Sequence, residues 1–403
     1  VPPARRTRAT HQDGSRPSRR TTDREAAPRS QRRQPPRSNE TPTIHEVAAR
    51  CGVAASTVSR AFSRPERVSA ATRERILAVA EQMGYRPNPI ARALPSGRTK
   101  TLALLVPDIT NPFFLGLIRG AEKAAAASEH TLVLADTEES SETEQVVLER
   151  LTRAVDGFVL ASPRMSDVRL RQAYASAPLV VVNRRVAPVP GVLIDSAPGT
   201  RAIAEHLASL GHERIAYLAG PRASWSDQRR WRALQAVARQ RGLHVVRLGP
   251  LAPTVDAGVA AADALLLEDV TAAVTFNDLL AIGVLRRLRA RGISVPDQIS
   301  VAGCDDIFGA DFCHPPLTTL TAPIEVAGRT AVELLLGMLR SGVRDRVQEP
   351  AASDGLDPSF AGKAESRRIV VLPTRLTIRD STGAAPAESH PQTTANVRHT
   401  APA

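Results

Sequence analysis

The chain has 403 residues, 42% of them hydrophobic, with 53 basic and 41 acidic side chains and a net charge of +12; it is long enough for more than one domain. Its three cysteines, Cys51, Cys304 and Cys313, have no metal-ligand spacing and no apolar run suits a signal peptide or membrane span, so we expect reduced packing thiols, no membrane partner and a cytoplasmic protein. The charge is uneven: residues 1–98 hold 20 arginines and 8 acidic groups, which is the whole surplus, and the remainder balances at 33 against 33. Positive charge gathered at one end is what phosphate neutralisation requires.

Residues 1–40 carry 11 Arg and 4 acidic residues among Pro, Ser, Thr and Gln, too few aliphatic side chains to order a core, and read as a disordered basic tail. Extra nonspecific DNA affinity and no role at all stand as equal expectations for it.

Residues 41–86 read as an all-α helix-turn-helix headpiece. Helical patterns at Thr43 to Arg50 and Ala55 to Phe62 flank the turn Cys51-Gly52-Val53, and Thr43 with Glu46 makes a capping box. Ile44, Val47 and Ala48 face inward, as do Val53, Val58 and Phe62. The other face of the second helix presents Ala55, Ser56, Ser59 and Arg60, the small residues and long donor that a major-groove helix needs. A third helix starts at Ser69 and Thr72 and stops at Gly84. Residues 87–98 form a hinge in which Asn88 to Leu94 makes a turn and a half of helix, too short to be stable alone.

The stretch "TIHEVAARCGVAASTVSRAFSRPERVSAATRERILAVAEQMGYRPNPIARAL" resembles the headpiece and hinge of the lactose and galactose repressor family, LacI/GalR. The resemblance implies double-stranded DNA as partner, a palindromic operator bound by a homodimer, with contacts from Thr43, Ile44, His45, Ala55, Ser56, Ser59, Arg60, Ser63, Arg67, Ser69, Thr72, Asn88 and Ala91. It also implies that Leu94 wedges into the minor groove. Ala54 departs from the Ser or Thr usual at the start of the recognition helix, which weakens that cap by about 1 kcal/mol.

From Thr101 strands and helices alternate for about 280 residues. Strands are expected at Leu102 to Val106, Thr131 to Ala135, Gly157 to Leu160, Pro178 to Val182, Arg214 to Leu218, His244 to Arg247, Ala272 to Phe276 and Ile299 to Gly303. Helices are expected at Phe113 to Ala127, Thr143 to Arg153, Gln228 to Arg241, Asp256 to Leu267, Asp278 to Arg291 and Pro323 to Arg340. This is a two-lobed α/β domain over residues 99–382, with ligands expected beyond the carboxyl ends of the strands. Asp108 to Phe114, Asn183 and Arg184, Asn277 and Asp278, and Asp305 and Asp306 stand at those ends. Asp305 and Asp306 could instead cap a turn, Asn277 and Asp278 could equally only start a helix, and Phe113 and Phe114 could equally pack between the lobes.

"DITNPFF", "HLASLGHERIAYLAGP", "FNDLLAIGVLRRLRARGISVPDQISVAGCDD" and "PPLTTL" extend the resemblance over residues 43–382, to the family's periplasmic-binding-protein-like effector domain. It implies a small effector, a sugar by class, held by Asn183, Arg230, Asn277 and Asp305, with Phe113, Phe114, Ser224 and Ser226 near it. The loop Gly249 to Pro253 lacks the aromatic expected to stack on it. His206 and His212 are read as structural.

The helix from Pro323 is long enough to pack on the lobes and contribute to a dimer seam. Residues 342–366 read as an inserted loop and 383–403 as a disordered tail without a leucine heptad, hence a dimer and no tetramer. No phosphate-cradling loop, nucleophile elbow or His and Cys metal cluster occurs, so no enzyme, metal or cofactor is expected. The competing reading is a cytoplasmic solute-binding module without a DNA-regulatory role.

Overall fold

The computed structural model describes residues 42–86, 98–341 and 369–387, and the chain divides after Pro87 into two compact units. The expectations for residues 1–40, for Asn88, Ala91 and Leu94, and for the loop 342–366 lie outside the described residues.

The first unit holds α1 (Ile44–Cys51), α2 (Ala55–Ser63) and α3 (Ala70–Met83), with a 3-10 turn at Pro65–Arg67. The capping box forms: the Thr43 amide donates to Glu46 Oε2 at 2.7 Å and the Glu46 amide donates to Thr43 Oγ1 at 3.4 Å. Gly52 ends α1 at φ 61°, a left-handed turn open to glycine. Val47, Ala48, Cys51, Val58, Ala61, Ile76 and Ala80 make the core. Ala55, expected on the groove-facing side, is half-buried against this core. It shares the seam with Val58 and Phe62 at helical spacing of three and seven residues.

The second unit has two lobes. The first contains β1 (Thr101–Val106), α4 (Phe113–Ala127), β2 (Thr131–Asp136), α5 (Ser141–Leu151), β3 (Gly157–Ala161), α6 (Asp167–Ser176), β4 (Leu179–Val182) and β5 (Gly191–Asp195). The chain then crosses to α7 (Ser196–Ser209), β6 (Arg214–Leu218), α8 (Trp225–Arg241), β7 (His244–Leu248), α9 (Val255–Leu265), β8 (Ala272–Thr275), α10 (Asp278–Ala290), β9 (Ser300–Ala302) and β10 (Thr319–Thr321). It returns through α11 (Ile324–Ser341) and β11 (Ile369–Pro373) to the first lobe and ends in β12 (Arg375–Thr377) beside β10. The main sheets of the two lobes are parallel, in the orders β11-β5-β4-β3-β1-β2 and β7-β6-β8-β9, and β10 with β12 forms an antiparallel pair.

Both faces of the first sheet are buried, as the continuous apolar runs demand. Leu102, Leu104 and Val106 point towards α4 and α11, while Ala103 and Leu105 join Phe158 and Leu160 on the other side. Helices α4 and α11 touch backbone to backbone. A Cβ at Gly120 would lie 2.0 Å from the Glu325 carbonyl, and one at Gly328 would lie 2.0 Å from that of Leu117. The apolar stripe of α11, expected to pack on the lobes and contribute to a dimer seam, packs inside the first lobe, with Ala327, Ala331, Val332 and Leu335 fully buried.

The sequence reading missed α6, β5, α7 and β10. Residues 383–387, expected to belong to a disordered tail, are tied to the second lobe. The carbonyl of Gly383 lies 3.1 Å from His212 Nε2, and the Ala385 amide donates to the Leu210 carbonyl at 2.8 Å. No described helix is long and apolar enough to cross a membrane.

Candidate functional site

On the first unit, α2 exposes Ser56, Arg60 and Ser63, and leaves Ser59 half-buried. Ser63 Oγ donates to the Ser59 carbonyl at 2.8 Å, which keeps that hydroxyl on its own helix. His45, Arg67, Ser69 and the cap residue Thr43 are exposed as well, while Ile44 and Thr72 are half-buried. Ser69 caps α3 and its hydroxyl donates to Thr72 Oγ1 at 2.8 Å. Ala54 opens α2 without a side-chain cap bond. Exposed Arg60 and the small side chains of α2 form a surface suited to phosphates and base edges.

On the second unit, the carboxyl ends of the two sheets face one another across a cleft. Its deep part is an inner pocket lined by Phe113, Asn183, Ser226, Arg230 and Asp305 and by residues from all three chain crossings: Ile194 and Ser196, Leu320 and Ala322, and Thr374. Its free volume is about 10 Å³, room for a single water. Farther out lies a chamber of about 530 Å³. Asp108, Asp136, Glu138 and Glu139 line it from the first lobe; Pro221, Arg222 and the loop Pro250 to Thr254 line it from the second. Carboxylates opposite prolines and Leu251 can accept from ring hydroxyls while covering an apolar ring face.

Arg230, 9% exposed, donates through Nη1 to the Phe276 carbonyl and through Nη2 to Asp305 Oδ1 at 3.1 Å, and its guanidinium lies over the Phe276 ring. Its Nε is buried without a hydrogen-bond partner. Burial pushes the Asp305 carboxyl up to about 7, with Arg230 opposing that rise. Asp278 holds the loop that carries Asp305: it accepts from Thr319 Oγ1 at 2.6 Å and from the Ile307 amide at 3.0 Å, and burial raises its carboxyl to about 6. Among the described residues, six of the eight non-glycine residues with positive φ stand at these strand ends: Glu138, Glu139, Ser162, Asn183, Asp305 and Asp306. Left-handed backbone costs on the order of 1–3 kcal/mol per residue and gathers where a site needs it.

Three expected effector residues do not reach the cleft. Ser224 is fully buried and caps α8 by accepting from the Asp227 amide at 3.2 Å. Asn277 caps α10 through the Leu280 amide at 3.1 Å and donates to the Pro253 carbonyl at 3.2 Å, anchoring the chamber loop. Phe114 lies in the first-lobe core, edge-on to Phe113. Sequence reasoning missed Ile194, Ser196, Leu320, Ala322 and Thr374, and most of the outer chamber. The strand-end position of Asp136 to Glu139 was the available signal for part of it.

Several neighbours are structural. His206 Nε2 lies 3.0 Å from Thr382 Oγ1, and His212 meets Thr271, Ser300 and Gly383. Burial pushes the Cys304 thiol up to about 12, as befits a packing thiol. Among the described residues, no cluster of His, Cys, Asp or Glu is arranged to hold a metal.

The family model "Bacterial regulatory proteins, lacI family" matches residues 43–88, and "Periplasmic binding protein-like domain" matches residues 204–382. The HTH-type transcriptional repressor CytR of Escherichia coli (strain K12) is 32% identical over 309 residues, which cover 74% of this chain and 90% of that protein. The HTH-type transcriptional regulator CelR of Thermobifida fusca is 33% identical over 326 residues, covering 76% and 94%. Among solved structures, a CelR–cellobiose complex matches with a TM-score of 0.58 at 30% identity, covering 84% of this chain and 99% of that one. The fold is also that of a Lac repressor dimer bound to operator, with a TM-score of 0.71 at 23% identity and coverage of 86% and 100%. The chain therefore belongs to the LacI family of bacterial transcriptional regulators and carries that family's helix-turn-helix DNA-binding domain.

Proposed function

We propose that this regulator is a repressor that binds a palindromic operator as a homodimer, and that a neutral, hydroxyl-rich metabolite, a sugar by class, binds in the cleft and changes its operator affinity. One observation carries the reading: the inner pocket is walled by all three crossings between the lobes as well as by Arg230 and Asp305. With about 10 Å³ free in the inner pocket and about 530 Å³ in the chamber outside it, a ligand that enters from the chamber reaches Arg230 and Asp305 only as the lobes part, so it makes different contacts in different lobe arrangements, and differential affinity is the requirement for shifting an equilibrium between them. The relatives point the same way: CytR is named a repressor, CelR was solved with cellobiose, and the Lac repressor was solved as a dimer on operator.

Phe113, Asn183, Ser226, Arg230 and Asp305 are the proposed effector contacts. Arg230 and Asp305 are assigned to adjacent hydroxyls, one as a fork of donors and the other as acceptor. Ser56, Ser59, Arg60 and Arg67 are assigned to DNA, and Leu94 to the wedge in the operator's central step. Leu94→Ala should weaken binding to the bent operator and spare nonspecific DNA; equal loss on both would remove the wedge role.

The two tryptophans of the chain, Trp225 and Trp231, both lie on α8, the helix that carries Ser226 and Arg230. Intrinsic emission screened against sugars and nucleosides therefore reports on the cleft without a label. A gel shift comparing the intact chain with one that begins at Thr99 tests the DNA side. Unchanged operator affinity in the shortened chain would overturn the assignment of DNA reading to the first unit.

A further inference from the structure

The two side chains that the second lobe's α8 sends into the inner pocket, Ser226 and Arg230, flank a group that does not line it. Asp227 is 1% exposed. Its Oδ1 accepts from the Tyr217 hydroxyl at 2.8 Å and from the Gly220 amide at 2.7 Å, and its Oδ2 accepts from Arg247 Nη2 at 2.7 Å. Its own amide donates to Ser224 Oγ. These partners come from β6, from the segment leaving β6, from β7 and from the helix cap.

We propose that Asp227 is a positioning residue of the effector cleft: by tying the first turn of α8 to the ends of β6 and β7, it sets Ser226 and Arg230 at the inner pocket. The proposal rests on the cleft reading above. Ser224 already caps the helix, so capping does not account for a buried carboxylate one turn in. Three further donors converge on that carboxylate, and they fix the helix about its own axis as well as along it. Rotation is what Arg230 cannot tolerate. Side-chain tips stand about 6 Å from a helix axis, so a turn of about 20° would carry them about 2 Å, enough to break a 3.1 Å bond to Asp305. Tyr217 also stacks on Trp231 at 5.6 Å, and Arg247 lies over the same indole at 5.2 Å. Any shift of the anchor is therefore written into tryptophan emission.

The test uses the full chain as wild type, Asp227→Ala, Asp227→Asn and the double variant Tyr217→Phe with Arg247→Met, studied by crystallography and tryptophan emission without any metabolite. Asp227→Ala should fold, lose the Arg230–Asp305 contact and shift its emission. Asp227→Asn keeps an acceptor for Tyr217 and Gly220 and should restore both. The double variant leaves the carboxylate only its backbone partner and should show the same displacement to a smaller degree; it decides the matter if Asp227→Ala does not fold. An Arg230–Asp305 contact kept intact in Asp227→Ala or in the double variant would overturn the proposal, as would Asp227→Asn displaced as far as Asp227→Ala. Such a result leaves the cleft reading standing. A metabolite response that survives Arg230→Ala would remove the cleft reading and leave the placement of α8 untouched.

Discussion

Arg230 Nη2 lies 3.1 Å from Asp305 Oδ1 on the second-lobe side of the cleft, with the two side chains 11% and 9% exposed. Removing one partner of a buried pair strands the other, at a cost of about 3–5 kcal/mol. Asp305 has a way out, because burial already holds its carboxyl at about 7 and it can take up a proton near neutrality. Arg230→Ala should therefore destabilise the chain towards the lower end of that range, with a greater loss at pH 8 than at pH 6, as read by urea denaturation at both.

Asp278 gives a pH dependence of known sign. Its carboxyl is raised from 3.8 to about 6, so between those values the folded chain holds a proton that the unfolded chain has released. The stabilisation is full below the unfolded value and is lost as pH rises through the folded one. Asp278→Asn should abolish this loss. Its stability relative to wild type should improve between about pH 4 and pH 7 by on the order of 2 kcal/mol, measured as paired denaturation curves. His206 and His212 are shifted down by burial and act in the opposite direction, but they are present in both proteins and cancel.

The start of α2 is an unfilled position. Ala54 has extended backbone at φ −70° and ψ 147° and no side-chain cap bond. Ala54→Ser supplies the missing acceptor and should stabilise the headpiece by about 0.5–1 kcal/mol, seen as a higher melting temperature of the first unit.

Arg60 is exposed on α2 beside Ser56. If it reads a guanine edge, Arg60→Ala should cost about 1–3 kcal/mol on operator and much less on nonspecific DNA. A phosphate role would instead weaken both alike and lower the salt slope by about one. Binding isotherms over a salt series separate the two.

How much of this was legible in sequence follows from how local each feature is. The Thr43 and Glu46 capping box, the Gly52 and Gly84 stops and the apolar strands lie within one turn or one run, and they form where the pattern placed them. Helix α8 was expected from Gln228, three residues late, because "SWSDQRR" is too polar to show an apolar stripe. The Ser224 to Asp227 spacing carries a capping signal, and the cap takes up the Ser224 hydroxyl that the resemblance places near the ligand. Helix α7 begins "SAPG", with proline and glycine inside its first turn, and so was not seen. The inner pocket needed the fold itself. Thr374 donates to the Asp195 carbonyl across 179 positions of sequence, and no periodicity relates Ile194, Leu320 and Thr374.

The most direct measurement is operator affinity, by fluorescence anisotropy, for wild type and Arg230→Ala, with and without a metabolite that shifts the tryptophan emission of the wild type. Metabolite should change wild-type affinity by about 5–150-fold and leave that of Arg230→Ala, equal to wild type in its absence, unmoved. An equal response in both proteins, or none in a wild type saturated with metabolite, would contradict control through the cleft.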